Sequence, residues 1–541
     1  MLVNLIPWIL LGLLCVEHVV FLPRLFKRAG LTAWHGYVPG LNYVTWLRMI
    51  GRPWYWIFTL LAPGINLIML TIMHVEAGLV FGQRSTNDQW KMGGLPWLGL
   101  AQLAGKEEAQ YVGRRDWSKT KKSALREWGE SILWAVVVAS IVRSFVFEAF
   151  TIPTGSMEGS MLVGDYLYVS KTAYGPKVPQ TPFTLPFIHN VVPGTMMPSY
   201  TRWFSLPYKR LPGLGDVERY DAVVFNFPHG DTIVVDPYLA GHDYYGILRS
   251  RAIEHAGGDR EAFLASPDVH LSAVRKSLSK QYGIQGRPLD KMENYVKRCV
   301  GLPGETLEVR DRIVHINGEA LEAPQGAQFD YNVKFPDGRT FSHFYKELGL
   351  TLLDVSVPNA AQYVASAKRA GSEFTLPLAL TEKEKSAMEQ GGLIVERSDY
   401  SGYQGSLSMF PNVPSAEFDT WDPDNYGPVV IPAAGQSVEL NERNLALYSR
   451  VISVYEGHML EQRPDGVYID GEKSNAYTFS QDYYWMMGDN RHHSADSRMW
   501  GFVPENHVVG KASFIWFSKQ NVAQHGEKKI RWNRMFKGIE R

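Results

Sequence analysis

Gly488-Asp489-Asn490-Arg491-His492-His493-Ser494-Ala495-Asp496-Ser497-Arg498-Met499-Trp500-Gly501-Phe502-Val503-Pro504, near the carboxyl end, is the stretch on which the reading of the whole sequence turns. Its charged and hydroxyl side chains suit a loop that gathers other segments. Two such segments lie upstream: Ile152-Pro153-Thr154-Gly155-Ser156-Met157, just after an apolar run, and Tyr295-Val296-Lys297-Arg298-Cys299-Val300-Gly301-Leu302-Pro303-Gly304-Glu305. Together the three supply a serine, a lysine and a loop to hold them.

The frame around them is a chain of 541 residues, 45% hydrophobic and 13% aromatic, which leaves room for a large core and more than one folding unit and excludes wholesale disorder. Fifty-five basic residues balance 55 acidic ones, so no overall attraction to nucleic acid is expected and any useful charge asymmetry is local. The two cysteines, Cys15 in an apolar stretch and Cys299 beside the lysine, are not expected to meet. They leave the redox compartment unrevealed, and no Cys/His pattern of a metal site is present. No metal or cofactor is expected.

Three apolar segments are candidate membrane helices. Leu2 to Leu22 is apolar apart from Asn4, Glu17 and His18, and Trp54 to Val75 holds no Asp, Glu, Lys or Arg; each approaches the roughly 20 residues needed to cross a bilayer. The alternative for the first is a cleavable leader, against which stand its uncharged start and the basic cluster Arg24, Lys27 and Arg28 on the wrong side. Ser131 to Phe147 is interrupted by Arg143 and reads either as a buried helix or as a span whose arginine snorkels to an interface.

Loops 23–53 and 106–126 are both rich in lysine and arginine and both ask to be cytoplasmic. Three plain crossings cannot satisfy that. Either the middle segment is a re-entrant hairpin broken at Pro63-Gly64, or a further crossing lies around Gly93 to Ala104. Both repairs send the chain after Ser131 outward, so the part beyond it faces the periplasm or the cell exterior. A second membrane cue is Thr181 to Gly213, where Phe183, Phe187, Tyr200, Trp203, Phe204 and Tyr208 mix with Arg202, Lys209 and Arg210. It suits a headgroup region or, equally, a packed surface loop.

Beyond residue 150 short alternating runs separated by turn signals predict a mainly β domain: Asp165 to Ser170, Ala222 to Phe227, Thr306 to Ile316 and Val508 to Phe517. Asn317-Gly318 and Asp470-Gly471 read as hairpin turns. Residues 259–282 and 381–390 have helical character, the latter with Thr381 and Glu384 spaced as a capping box and Gly391 as a stop. The organisation expected is a membrane region over 1–130, a transmembrane segment over 131–150 and a domain over 151–541 carrying mixed α/β insertions at about 231–289 and 321–440.

A serine hydroxyl attacks poorly until a base removes its proton. The hydrolase elbow Gly-x-Ser-x-Gly is absent, since Thr154 stands where its first glycine would be; His492 and His493, near Ser494, are the histidine alternatives. Lysine can serve only if burial depresses its pKa by about 2 to 3 units, and Lys297 has Tyr295, Val296, Cys299, Val300 and Leu302 for company. Taken alone, it reads equally as a solvated strand-end lysine.

The three segments, in this order, resemble the signature boxes of bacterial signal peptidase I, a membrane-anchored Ser/Lys serine endopeptidase. The resemblance implies N-terminal transmembrane helices followed by a mainly β periplasmic catalytic domain of the fold shared with self-cleaving repressors. It implies Ser156 as nucleophile and Lys297 as general base, with Thr154 and the Ser156 amide as oxyanion hole. Ser494 would orient the lysine; Asp489, Arg491, Asp496 and Arg498 would brace the site; Ile152 and Val296 would line shallow pockets for small side chains. Its implied partners are signal peptides of exported pre-proteins and the lipid bilayer, with no nucleic acid, in a multi-pass protein of the bacterial cytoplasmic membrane.

Two departures stand out. Glu158-Gly159-Ser160 replaces the x-Pro-Thr usual after Ser-Met, which predicts a looser turn, and Arg219-Tyr220-Asp221 stands where Arg-Gly-Asp is usual. The rival readings are a non-catalytic membrane scaffold with a decayed peptidase domain and another Ser/Lys peptidase of related fold.

Overall fold

The computed structural model describes residues 12–61, 64–107, 109–113, 124–185, 187–193, 195, 197–201, 205–228, 233–236, 239, 242–520 and 529–539. The chain divides into two compact units, one of residues 1–145 and 178–209, the other of residues 146–177 and 210–541.

The first unit is helical. Among the described residues no helix is long and apolar enough to cross a membrane, so the spans expected from hydropathy are not seen among them. The reasons differ by segment. Leu2–Leu22 lies partly outside the described residues. Trp54–Val75 is divided between a 3-10 helix, Trp54–Leu61, and an α-helix, Ile65–Val80, that starts after Gly64 at φ 75°, a conformation open to glycine. That break is where the re-entrant alternative placed one. Pro96–Gly105, which covers most of the suggested extra crossing, has 10 residues and so spans only about 15 Å. Ala124–Phe145, with 22 residues, has the length but carries Arg126, Glu127, Glu130 and Arg143. Leu25, Phe26, Trp46, Met69, Met73 and Leu103 are among the residues of this unit's apolar core. Of the aromatic stretch 181–213, residues 202–204 lie outside the described set; Tyr200 is buried and Phe187 exposed.

The second unit is mainly β, as expected. Its central sheet runs Phe147–Thr151, Asp165–Ser170, Val508–Ser518, Ala222–Asn226, Asn294–Gly301, Tyr483–Met487 and Val503–Pro504, with Lys537–Gly538 also paired to Val508–Ser518. Every neighbouring pair is antiparallel. Asp165–Ser170 alternates buried and half-buried residues, as a strand with one face in the core must. Ala222–Asn226 is buried throughout because it lies in the middle of the sheet. It places Val223 opposite Lys297 and Val224 opposite Val296.

Thr306–Ile316 is a hairpin rather than one strand: Thr306–Arg310 pairs with Ile313–Ile316 across Asp311 and Arg312, which take φ of 48° and 74°. No glycine marks that turn, so the alternation ran through it. Asn317-Gly318 and Asp470-Gly471 do adopt positive φ at both positions, as predicted. Residues 260–281 form the helices Arg260–Ala265 and Pro267–Gln281. The capping box on Glu382–Gln390 is formed, and Gly392, one residue beyond the predicted stop, takes the positive φ. Glu382–Gln390, Gly338–Glu347 and Ala360–Ala367 pack on a separate sheet in the order Phe374–Thr381, Gln328–Phe335, Ile394–Arg397.

Candidate active site

Ser156 sits in the short 3-10 turn Gly155–Met157. The turn is anchored by Met157, which is buried with Ile152, Met161, Leu167 and Val169, so the half-buried serine is carried on a fixed base. Lys297 lies on the central strand Asn294–Gly301, and its side chain enters the site from the sheet. Its Nζ donates to Ser156 Oγ at 2.6 Å. Only 2% of Lys297 is exposed, and burial pulls its pKa down from 10.5 to about 8, against the opposing pull of Asp496 and Asp489. The tyrosine ring of Tyr295 lies 5.6 Å beneath the ammonium. A solvated strand-end lysine is therefore excluded.

The next residue, Arg298, points to the other face and forms a fully buried bidentate pair with Asp489, at 2.9 Å from Nε to Oδ1 and 2.7 Å from Nη2 to Oδ2. Asp496 and Arg498 pair in the same way, at 3.0 and 2.8 Å. Asp496 also accepts from Gly488 N, and Arg498 donates to the carbonyls of Pro423 and Arg491. The braced loop reaches Ser156 through Asn490, whose backbone N donates to Ser156 O and whose Nδ2 donates to Gly155 O, both at 3.2 Å. Asn490 was not singled out from the sequence, although it stands inside the signature run.

Arg491 is buried, and burial lowers its pKa to about 10. Its backbone N donates to Gln328 O, while its Nε has no acceptor among the described residues. Ser494 is buried too, but its Oγ makes no hydrogen bond among the described residues, so the expected contact with the lysine is not made in this geometry. The lysine's short bond goes to Ser156. Ser494 instead presses on Gly488: a Cβ there would fall 2.1 Å from Ser494 Oγ and 2.5 Å from Ser156 O, which is why the position holds glycine.

Both histidines are occupied elsewhere. His492 Nδ1 accepts from Asp330 N at 2.9 Å, which leaves Nε2 to donate to Asp424 Oδ1 at 2.7 Å, and Tyr400 stacks on the ring. His493 Nε2 bonds Asp330 and Ser356. The His492 ring has both nitrogens taken up, and the Ser156 hydroxyl is bonded by Lys297 instead.

Of the sequence departures, Arg219-Tyr220-Asp221 has Tyr220 at φ 65°, the region glycine enters freely. The turn at Glu158-Gly159-Ser160 is not loose, contrary to expectation. Gly159, at φ 91°, lies so close to Gly326 O that a Cβ would approach it to 2.3 Å, and Ser160 O accepts from Arg534 Nη2 at 2.9 Å.

The signal peptidase, peptidase S26, family matches residues 125–373 and 424–517, a range that holds Ser156, Lys297 and the loop from Gly488 to Arg498. The chain belongs to that family. A signal peptidase I of Haemophilus influenzae is 25% identical over 77% of this chain and 77% of its own length. One of Pseudomonas aeruginosa is 20% identical over 74% of each chain, and one of Buchnera aphidicola is 20% identical over 73% of this chain and 76% of its own. Residues 34–114 match, separately, a family of unknown function. The S26 match runs on through 321–373, the first part of the expected second insertion, and omits only 374–423 of it.

Within this peptidase site the sequence reading missed Glu158. Its carboxyl is buried, and burial together with Asp354 pushes its pKa up to about 8. Between pH 4.5 and 8 the unfolded chain has released a proton that the folded site still holds, so stability falls as pH rises through that window. Glu158→Gln, which keeps an acceptor for Val163 N, should remove the loss. We expect it to raise the melting temperature on the order of 5 to 10 °C above pH 8 and to leave it unchanged near pH 4. Equal gains at both pH values would reject a buried protonated carboxyl.

Proposed function

We propose that this chain is a membrane-anchored serine endopeptidase that cleaves signal peptides from exported pre-proteins through a Ser156/Lys297 dyad. The observation that carries it is the 2.6 Å contact between Ser156 Oγ and the Nζ of a buried lysine. Neutral Lys297 takes the serine proton as Oγ attacks the scissile carbonyl. Ser156 N–H and Thr154 Oγ hold the oxyanion, a role that Thr154's exposed position leaves open to substrate. As the C–N bond breaks, the Lys297 ammonium protonates the departing amine of the mature protein. Water then attacks the acyl carbon, gives its proton to Lys297, and Ser156 Oγ leaves with that proton restored. Asp489, Arg491, Asp496 and Arg498 hold the loop that fixes Ser156. Ser494, packed on Gly488 beside the serine carbonyl, would serve to receive the ammonium when the lysine turns from Ser156.

A place in the bacterial cytoplasmic membrane, with the peptidase on the periplasmic or extracellular side, is supported by the apolar segments and basic loops of the first unit. It is supported also by aromatic side chains left exposed there: Trp54, Tyr55, Phe58, Trp90 and Trp128. In the second unit a ladder of stacked rings, Phe147, Tyr168, Phe514 and Phe536, ends in the exposed Phe536 beside exposed Trp532, as a lipid-facing surface would.

Ile152 and Val296 belong to one apolar cluster at the site, Ile152 buried and Val296 half-buried. Strand-borne pockets of this kind admit only small side chains at the first and third positions before the cut. Changing a precursor's −1 alanine to leucine should lower processing by the detergent-solubilised enzyme on the order of 100-fold or more, because overpacking a rigid strand forces backbone movement. Equal cleavage of both precursors would reject the pocket assignment, and cleavage of neither would reject the proposed activity.

A further inference from the structure

Gly155, the residue between the two oxyanion donors, does not face open space. The δ-carbons of Leu353 stand 3.8 Å from where a Cβ on Gly155 would lie, in ordinary van der Waals range. Leu353 comes from a segment far away in sequence, the turn Leu352–Asp354, and is itself half-buried, so part of its surface remains open beside the nucleophile.

The turn is held as firmly as the catalytic loop. Thr351 and Asp354 form a capping box, with Leu353 N donating to Thr351 Oγ1 at 3.1 Å and Thr351 N to Asp354 Oδ2 at 2.6 Å. Asp354 Oδ1 accepts from Gln328 Nε2 at 3.1 Å. Gln328 in turn clips to the signature loop on both sides, its N donating to Asp489 O at 2.8 Å and its O accepting from Arg491 N at 2.9 Å. Downstream, Ser356 donates to Asp330 Oδ1 and meets His493 Nε2 at 2.9 Å. The polar network that engages His493 thus also ties this turn to the signature loop.

An aliphatic side chain fixed in such a place bears on what passes it. The side chains before the cut are assigned to the Ile152 and Val296 cluster, to which Leu353 does not belong. Leu353 instead adjoins Gly155, the residue next to Ser156, and so is a separate apolar surface near the point of cleavage. We propose that Leu353 is a specificity-determining residue that contacts the first residues of the mature protein, on the amine side of the scissile bond. The inference rests on the peptidase reading above and gives the 321–373 segment a role in substrate choice.

The test uses the full-length enzyme in detergent micelles. Precursors with a −1 alanine carry either lysine or glutamate at +1 and +2, and the enzymes are wild type, Leu353→Glu and Leu353→Lys. A small acylating probe on Ser156 reports an intact dyad in each. The ratio of kcat/KM for the lysine over the glutamate precursor should rise about fivefold in Leu353→Glu and fall about fivefold in Leu353→Lys, as one partly exposed charge contact allows. Discrimination at −1 should not change. Should either charged variant fail to label, Leu353→Ala replaces it, with loss of any wild-type preference for an apolar +1 residue as the expected result. Unchanged +1 and +2 ratios in labelled variants, or a change confined to −1 and −3, would overturn this inference alone. A wild type that labels but cuts no precursor would overturn the peptidase reading and the inference with it.

Discussion

Lys297→Met is expected to abolish precursor cleavage while raising the melting temperature. The first effect follows from the 2.6 Å contact: without Nζ nothing is in place to take the Ser156 proton, and a loss on the order of 10⁴-fold or more is the usual scale for such a dyad. Ser156→Ala should lose as much, and Lys297→Arg should be equally dead because guanidinium does not deprotonate at accessible pH. The second effect follows from burial. Between pH 8 and 10.5 the unfolded chain holds a proton that the folded site has released, so stability climbs with pH across that window. Below pH 8 both states are protonated and the folded protein bears the full cost of an immersed ammonium, roughly 3 kcal/mol. Methionine removes that cost. In the wild type kcat/KM should rise with pH and level off above about 8, since only neutral Lys297 accepts the proton. A flat profile from pH 6 to 9, or activity retained by Lys297→Arg, would reject the lysine base.

What could be read from the sequence was what lies within one segment or depends on the order of segments. Ser156 and Lys297 were legible because each sits in a short run whose neighbours fix its local environment: Met157 anchors one, and the apolar strand buries the other. The helix over 382–390 was legible because its capping box is complete in four residues. The fate of His492 was not, since Asp424 and Asp330, which take up its ring nitrogens, are 68 and 162 residues away. Gly159 was misread for the same reason: its turn looked loose until Gly326, from a distant segment, was found against its Cα. The division at Gly64 was legible as one of two alternatives, because a proline and a glycine interrupt the apolar run, whereas hydropathy alone did not show that Trp54–Leu61 is a 3-10 helix. The burial of Glu158 was not legible either, because Asp354, which helps to raise its pKa, comes from a distant segment.

Asp489→Ala should destabilise the second unit by about 3 to 5 kcal/mol, the cost of leaving a buried charge without its partner. Arg298 is 1% exposed, and its other acceptors include Tyr220 O at 2.7 Å and Ser160 Oγ at 3.3 Å, both neutral. They cannot replace a carboxylate. The damage should reach catalysis as well, because Asp489 begins the short run through which Asn490 holds the carbonyls of Ser156 and Gly155. Arg298→Met together with Asp489→Leu provides the discriminating comparison. Removing both charges eliminates the desolvation problem, so the double variant should recover most of the lost stability. Its kcat should stay depressed, since apolar side chains do not fix the loop by directed bonds as the bidentate pair does. Urea denaturation and precursor cleavage, measured on the same preparations, separate the two effects. A double variant restored in both stability and kcat would mean that the pair merely fills space. One restored in stability alone would show that the buried ion pair acts mainly in holding Ser156 in line with Lys297.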